Sequence, residues 1–343
     1  MDTSPIDLRS DTVTRPTPAM RAAMAAAEVG DDQYGEDPTT ARLQAHCAEL
    51  LGKEAALWLP SGTMANQVAL RVLTRPGDEV VTPRESHAAW HEAGAAAANA
   101  GVQMVEAGRA GTMTLQDLDA AIKPAGLPVF PQTTLLQVEN THNRAGGVVV
   151  PQALVEALCA RARERGLATF LDGARLWNAA VASGCAEAEL AAPFDLVAVA
   201  FSKGLGAPGG SLLAGPKALI ARADRARRML GGAMRQNGFF AAAALHGLAH
   251  HRARLAEDHA NARAFAETLA ATGRVRLDLA TVQTNIVVFH LDDGDAPAFV
   301  ARARARGVLL NAFGPRTVRA VTHLDVSGAQ VRQAAATLAE LLG

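Results

Sequence analysis

The chain has 343 residues, a formal net charge of −1 and three cysteines. Its length suits a large α/β core with a smaller companion. The near-neutral charge gives no reason to expect nucleic acid or an anionic membrane as partner. Cys47, Cys159 and Cys185 are scattered and odd in number, as reduced thiols in a cytoplasm would be. Neither a leader peptide nor an apolar stretch long enough to span a bilayer is expected.

Residues 1–40 read as irregular and polar, with turn signals at Arg15-Pro16-Thr17-Pro18 and Gly30-Asp31-Asp32. A helix over 40–51 leads to a strand over 55–59, then to Ser61-Gly62-Thr63 and a helix from Met64. Further strand patterns cover 79–82, 102–106, 134–138, 168–171 and 196–201, with helical patterns such as 151–165 between most of them. This alternation predicts βαβ units and a mainly parallel sheet. Arg222, Arg225, Arg227 and Arg228, interrupted by Asp224, read as a solvated helix face. From about residue 217 long helices take over, notably 238–272. The tail mixes strands at 274–279, 284–291, 308–311 and 318–323 with helices at 296–306 and the C-terminus. The expected division is an N-terminal segment (1–40) reaching the active site, a large cofactor-binding domain (41–250) and a small α+β domain (251–343).

Two strand ends carry the chemistry. Leu171-Asp172-Gly173-Ala174-Arg175 follows one apolar run, and Phe201-Ser202-Lys203-Gly204-Leu205-Gly206 follows another. Burial disfavours an ammonium, and an amine pushed toward neutrality is a nucleophile that forms Schiff bases with carbonyls. A carboxylate at a neighbouring strand end would keep a pyridine nitrogen protonated. Asp172 and Lys203 together therefore point to pyridoxal 5'-phosphate. Ser61, Gly62 and Thr63 sit where a strand turns into a helix, so they are either a plain N-cap or a phosphate cradle. Beside Asp172 and Lys203 the cradle is favoured. The glycines after Lys203 do not make a P-loop, in which they would precede the lysine.

His87 reads as a ring stacked on the cofactor. His87, His91 and Glu92 lack the His-Glu-x-x-His order, and no metal is expected. Arg175, three residues past Asp172, is placed to grip a carboxylate with both arms of its guanidinium.

Several longer segments resemble the low-specificity L-threonine aldolases. They are 7–14 (Asp-Leu-Arg-Ser-Asp-Thr-Val-Thr), 30–38, 61–66, Glu139-Asn140-Thr141-His142-Asn143, 172–175, 202–206, 231–236 and 318–326. The resemblance covers nearly the whole chain. It implies a fold-type I pyridoxal phosphate enzyme of α/β class, with a large, mainly parallel sheet of seven-stranded type and a smaller C-terminal α+β domain. The implied reaction splits an L-β-hydroxy-α-amino acid of the threonine, allo-threonine or phenylserine type into glycine and an aldehyde. β-Elimination or transamination on the same scaffold is the alternative.

Carried over by position, Lys203 would be the Schiff-base lysine, Asp172 the pyridinium partner and His87 the stacking ring. Gly62 and Thr63 would cradle the phosphate, with Arg235 reaching it across a homodimer or homotetramer interface. Ser10, Arg175 and Arg319 would hold the substrate carboxylate. Where the family often has a second histidine near the substrate hydroxyl, this chain has Val129, so a preference for bulky β-substituents is expected.

Overall fold

A hydroxyl or carboxylate followed by proline opens both helices of the N-terminal region, a pairing suited to a first helical turn. The computed structural model describes residues 4–343. It begins with a two-residue strand β1 (Ile6–Asp7), then α1 (Pro18–Ala25) capped by Thr17 and α2 (Pro38–Leu50) capped by Asp37. Thr17-Pro18, a turn signal by sequence, is thus the start of a helix.

The large unit alternates strands and helices as expected. Its elements are β2 (Ala55–Leu59), α3 (Gly62–Leu73), β3 (Glu79–Pro83), α4 (His87–Trp90), β4 (Gln103–Ala107), α5 (Leu115–Ala121) and β5 (Thr133–Glu139). Then come α6 (Gln152–Glu164), β6 (Ala168–Gly173), α7 (Leu176–Ser183), α8 (Glu187–Ala191), β7 (Leu196–Ala200), β8 (Ser211–Gly215), α9 (Lys217–Met229) and α10 (Gly238–His250). The sheet runs in the order β2-β8-β7-β6-β5-β3-β4. β8 is antiparallel to both neighbours, and the other six strands point one way. Their C-terminal ends therefore share one edge, the usual place for a ligand in such sheets. β8 escaped the sequence reading because its five residues follow Gly209-Gly210 and end on a glycine themselves, Gly215.

The small unit holds α11 (Leu255–Ala270), β9 (Val275–Arg276), β10 (Ile286–Leu291), α12 (Ala296–Ala305), β11 (Val308–Leu309), β12 (Asn311–Ala312), β13 (Thr317–Val321) and α13 (Gly328–Leu342). Its antiparallel sheet runs β12-β13-β10-β9. Phe265, Phe289, Phe299 and Leu338 fill its core, joined by Ile6 and Leu8 from the N-terminus. β1 pairs parallel with β11, which ties the first strand to the small unit. The helix expected over 238–272 is two, broken between His250 and Leu255. At the break the His251 ring bonds the Leu205 carbonyl at 2.8 Å, in the loop that carries Lys203.

Arg227 departs from the solvated-face expectation. It is buried, ion-paired to Asp32 at 2.9 Å and Asp224 at 2.7 Å, and donates to the Trp58 carbonyl. A guanidinium is tolerated there because its fork is fully engaged. Among the described residues no helix is long and apolar enough to cross a membrane.

Asp37 joins the two ends of this architecture. Its buried carboxylate accepts from Thr40 N at 2.8 Å in α2 and from Gly238 N at 2.9 Å, the first residue of α10. Asp37→Ala removes a cap and orphans a buried N–H, so it should cost about 2–4 kcal/mol. Urea denaturation should show that loss, with Asp37→Asn falling between the two.

Candidate active site

Asp172 is the penultimate residue of β6 and is almost fully buried. Its Oδ1 accepts from Ala174 N at 3.1 Å, and its Oδ2 accepts from Asn66 Nδ2 at 2.7 Å. Asn66 also donates to Glu92 Oε1 at 2.7 Å, and Gln67 donates to Glu92 Oε2 at 2.7 Å. Glu92 in turn meets His87 Nδ1 at 2.9 Å. Burial alone would lower the His87 pKa, but the Glu92 hydrogen bond and the nearby Asp172 carboxylate raise it. Asn66 and Glu92 escaped the sequence reading as a pair because they lie 26 residues apart on α3 and just past α4. Glu139 at the end of β5 fixes two further pieces, accepting from His87 N at 2.6 Å and from Asn143 N at 2.8 Å.

Lys203 follows β7 on the loop leading to β8. Burial lowers its pKa, and the Arg175 cation pushes the same way against Asp11, Asp172 and Glu139. Its Nζ has no hydrogen-bond or ion-pair partner among the described residues. The amine opens onto a cleft of about 190 Å³ lined by Asp172, His87, Asn66 and the Ser61-Gly62-Thr63 start of α3. The Ser61 hydroxyl caps Met64 N at 3.2 Å, so the plain N-cap reading holds for that side chain. Gly62 and Thr63 nonetheless line the cleft, where first-turn N–H groups and the helix dipole favour an anion.

A second cleft of about 220 Å³ shares Lys203 and His87 with the first and is otherwise lined by Arg175, Arg319, Ser10 and Asn143 among others. The two arginines differ. Arg175 is locked to buried Asp11, with Nε on Oδ2 and Nη2 on Oδ1, both at 2.7 Å. Arg319 on β13 has no carboxylate partner among the described residues. It donates to Asn143 Oδ1 at 2.8 Å and to the Arg9 carbonyl at 3.0 Å, while its buried Nε is unpaired. Burial and the Arg175 cation push its pKa down to about 10. Its guanidinium lies 4.3 Å from the Phe313 ring centroid, and Arg144 covers the same ring at 4.8 Å. The Ser10 hydroxyl accepts from Thr12 N and Thr12 Oγ1.

Two expected participants lie elsewhere. Val129 is 79% exposed and Phe130 is partly exposed. Both precede β5, at the opposite end of that strand from Glu139, and line neither cleft. Val129 therefore gives no basis within the chain for a preference for bulky side chains. Arg235 is also exposed, bonded to Gln33 Oε1 at 2.5 Å and paired with Asp31 at 3.3 Å.

The beta-eliminating lyase family matches residues 7–292. The low specificity L-threonine aldolase of Escherichia coli (strain K12) is 46% identical over 333 residues, spanning 96% of this chain and 97% of the relative. The chain belongs to the low-specificity L-threonine aldolases. The threonine aldolase of Leishmania major superposes with a TM-score of 0.85 at 21% identity, covering 99% of this chain and 100% of that one. An SPT solved with PLP shares the fold at a TM-score of 0.74 and 19% identity, covering 98% and 87%. As a threonine aldolase of fold type I, the protein is a pyridoxal 5'-phosphate-dependent lyase acting on a small amino acid. An unpartnered lysine amine in a cleft that Asp172 and the α3 N-terminus also line fits that cofactor.

The Asp11–Arg175 pair sets an acid-stability limit. Burial alone would raise the Asp11 pKa, but Arg175 holds it well below the usual carboxylate range. The unfolded chain then binds more protons in acid, so this stability is complete above about pH 4 and fades as pH falls. Asp11→Ala strands a buried cation and should cost about 3–5 kcal/mol. Thermal unfolding should show the gap between parent and variant wide at pH 7 and narrower at pH 3.

Proposed function

We propose that this aldolase cleaves L-β-hydroxy-α-amino acids to glycine and an aldehyde, with each residue in the following role. Lys203 would hold the cofactor through its aldehyde carbon, with Asp172 as partner of the pyridine nitrogen and His87 for the ring. Gly62, Thr63 and the helix start at Ser61 would hold the phosphate. Pyridoxal phosphate supplies an electron sink for the pair left on Cα.

The protein's own groups position the substrate. Arg319 takes the carboxylate, because a buried guanidinium without an anion is the most costly unpaired group in the second cleft. Arg175, already neutralised by Asp11, lines the same cleft and orients the carboxylate together with Ser10. Asn143, held by Glu139, keeps the Arg319 fork in place. The observation that carries this reading is the meeting of the two clefts at Lys203 and His87: one is furnished for a phosphate and a pyridinium, the other for a carboxylate.

A second copy completes the site. Tyr34, Met229, Met234 and Phe239 are exposed large apolar side chains, three of them within six residues of Arg235 and Tyr34 next to its partner Gln33. Such a patch fits an interface, with Arg235 reaching the partner's phosphate site. A cytoplasmic location suits the three free cysteines, two of them buried.

Lys203→Ala should fold, lose cleavage entirely and no longer fix cofactor on borohydride reduction. Mass spectrometry finding the label on another lysine would displace the assignment. Asp172→Ala should lose at least about a hundredfold in turnover, roughly 3 kcal/mol on the barrier. Mixed Arg235→Ala and Lys203→Ala chains should regain activity that neither variant shows alone. Sedimentation finding a fully active monomer would refute the shared site.

A further inference from the structure

We infer that His91 is the group that takes the proton from the substrate's β-hydroxyl, an inference that rests on the aldolase reading above. The second cleft presents few groups able to accept a proton. Arg175 and Arg319 are cations, and Lys203 is reserved for the cofactor. The Asn143 amide oxygen is taken by Arg319, and the Ser10 hydroxyl already accepts two hydrogen bonds from Thr12. His87 has Nδ1 on Glu92, which favours its protonated form.

His91 differs from all of these. Neither ring nitrogen has a hydrogen-bond partner among the described residues, and the ring lines the cleft beside Lys203. Its backbone is pinned by His91 N on the His87 carbonyl at 2.8 Å. Its ring is stacked on Phe313, with centroids 6.1 Å apart and planes 23° apart, and lies 5.6 Å from the His87 ring. Phe313 is itself in contact with the Arg144 and Arg319 guanidiniums, which hold the ring that His91 stacks on. The charged groups facing His91 are His87, Arg144, Arg319 and Glu85. Burial and the first three lower its pKa, with Glu85 opposing. The ring is therefore neutral near pH 7 and able to accept.

With the carboxylate on Arg319 and the amino group at Lys203, the β-carbon faces the remaining wall, made by His91 and Phe313. His91 takes the hydroxyl proton as the C–O bond becomes C=O and the Cα–Cβ bond breaks. The electron pair of that bond stays on Cα and is then protonated, giving glycine. The aldehyde leaves and His91 returns its proton to solvent, so the step balances without a further reactant.

Glycine has no β-hydroxyl, which separates this role from a structural one. The holoenzyme, His91→Phe and His91→Asn are compared in three measurements. These are cleavage of L-threonine and L-phenylserine across pH, exchange of the glycine α-proton for deuterium by NMR, and glycine affinity by calorimetry. General-base loss should lower kcat/KM for cleavage by about a hundredfold or more. The acidic limb of the parent's pH profile should vanish in both variants. Glycine exchange and affinity should stay within about threefold, since neither needs a base at the hydroxyl. Added imidazole should restore part of the cleavage by His91→Phe.

A cleavage loss below about tenfold, or an equal fall in cleavage and exchange, overturns the role of His91. A parent that exchanges glycine but cleaves neither hydroxy amino acid overturns the aldolase reading, and this inference with it.

Discussion

Buried positive charge at one edge of the central sheet governs the rest of this structure. Lys203, Arg175 and Arg319 converge where the parallel strands end, and unpaired cations in such a place are strongly disfavoured. Asp11 neutralises one of them completely. Asp172 and Glu139 act on Lys203 from neighbouring strand ends, yet burial and the Arg175 cation still lower its pKa. Arg319 is left without an anion and its pKa falls. The fold thus holds an unpaired amine and an unsatisfied guanidinium side by side, the two features that an amino acid with its carboxylate can exploit.

The source of Asp11 explains a feature of the topology. The N-terminal segment pairs β1 with the small unit, buries Leu8 in that unit's core and then drives Asp11 into the large unit. Thr14 Oγ1 continues the crossing with a hydrogen bond to the Lys203 carbonyl at 3.1 Å. Asn285, on the small unit, donates to the same Asp11 carboxylate. One ion pair therefore couples the placement of the small unit, which carries Arg319, to the strand ends that carry Asp172 and Lys203. Preorganised charges of this kind need no rearrangement when substrate charge moves.

Much of this was legible in the chain because burial leaves an imprint on sequence. Six of the seven large-sheet strands appear as strand patterns, and Lys203 and Asp172 stand out because each ends an apolar run. Groups that act across space leave no such trace. Glu92 is one acid among many until α3 brings Asn66 and Gln67 onto it. The pairing of Asp11 with Arg175 spans 164 residues and could not be read from local pattern. Arg175 was expected to grip substrate directly, while the fold commits its fork to Asp11 first. Val129 was placed by alignment with a motif, and the direction of β5 carries it to the far end of the sheet. Thr17-Pro18 reads as a turn in sequence yet caps α1 in the fold, since proline serves both.

The same geometry bears on which bond at Cα breaks. On the proposed binding Arg319 fixes the carboxylate and the cofactor side fixes the amino nitrogen, which leaves the other two substituents of Cα, hydrogen and the side chain, to share the remaining positions. One of them must face the wall made by His91 and Phe313. An amino acid with a hydroxyl on that arm meets a neutral imidazole, and the loss of the hydroxyl proton makes the Cα–Cβ bond the weak one. Glycine presents only hydrogen there and meets no partner. Positioning and the nature of one wall thus separate cleavage from proton exchange within a single site, with the charge pattern around Lys203 common to both.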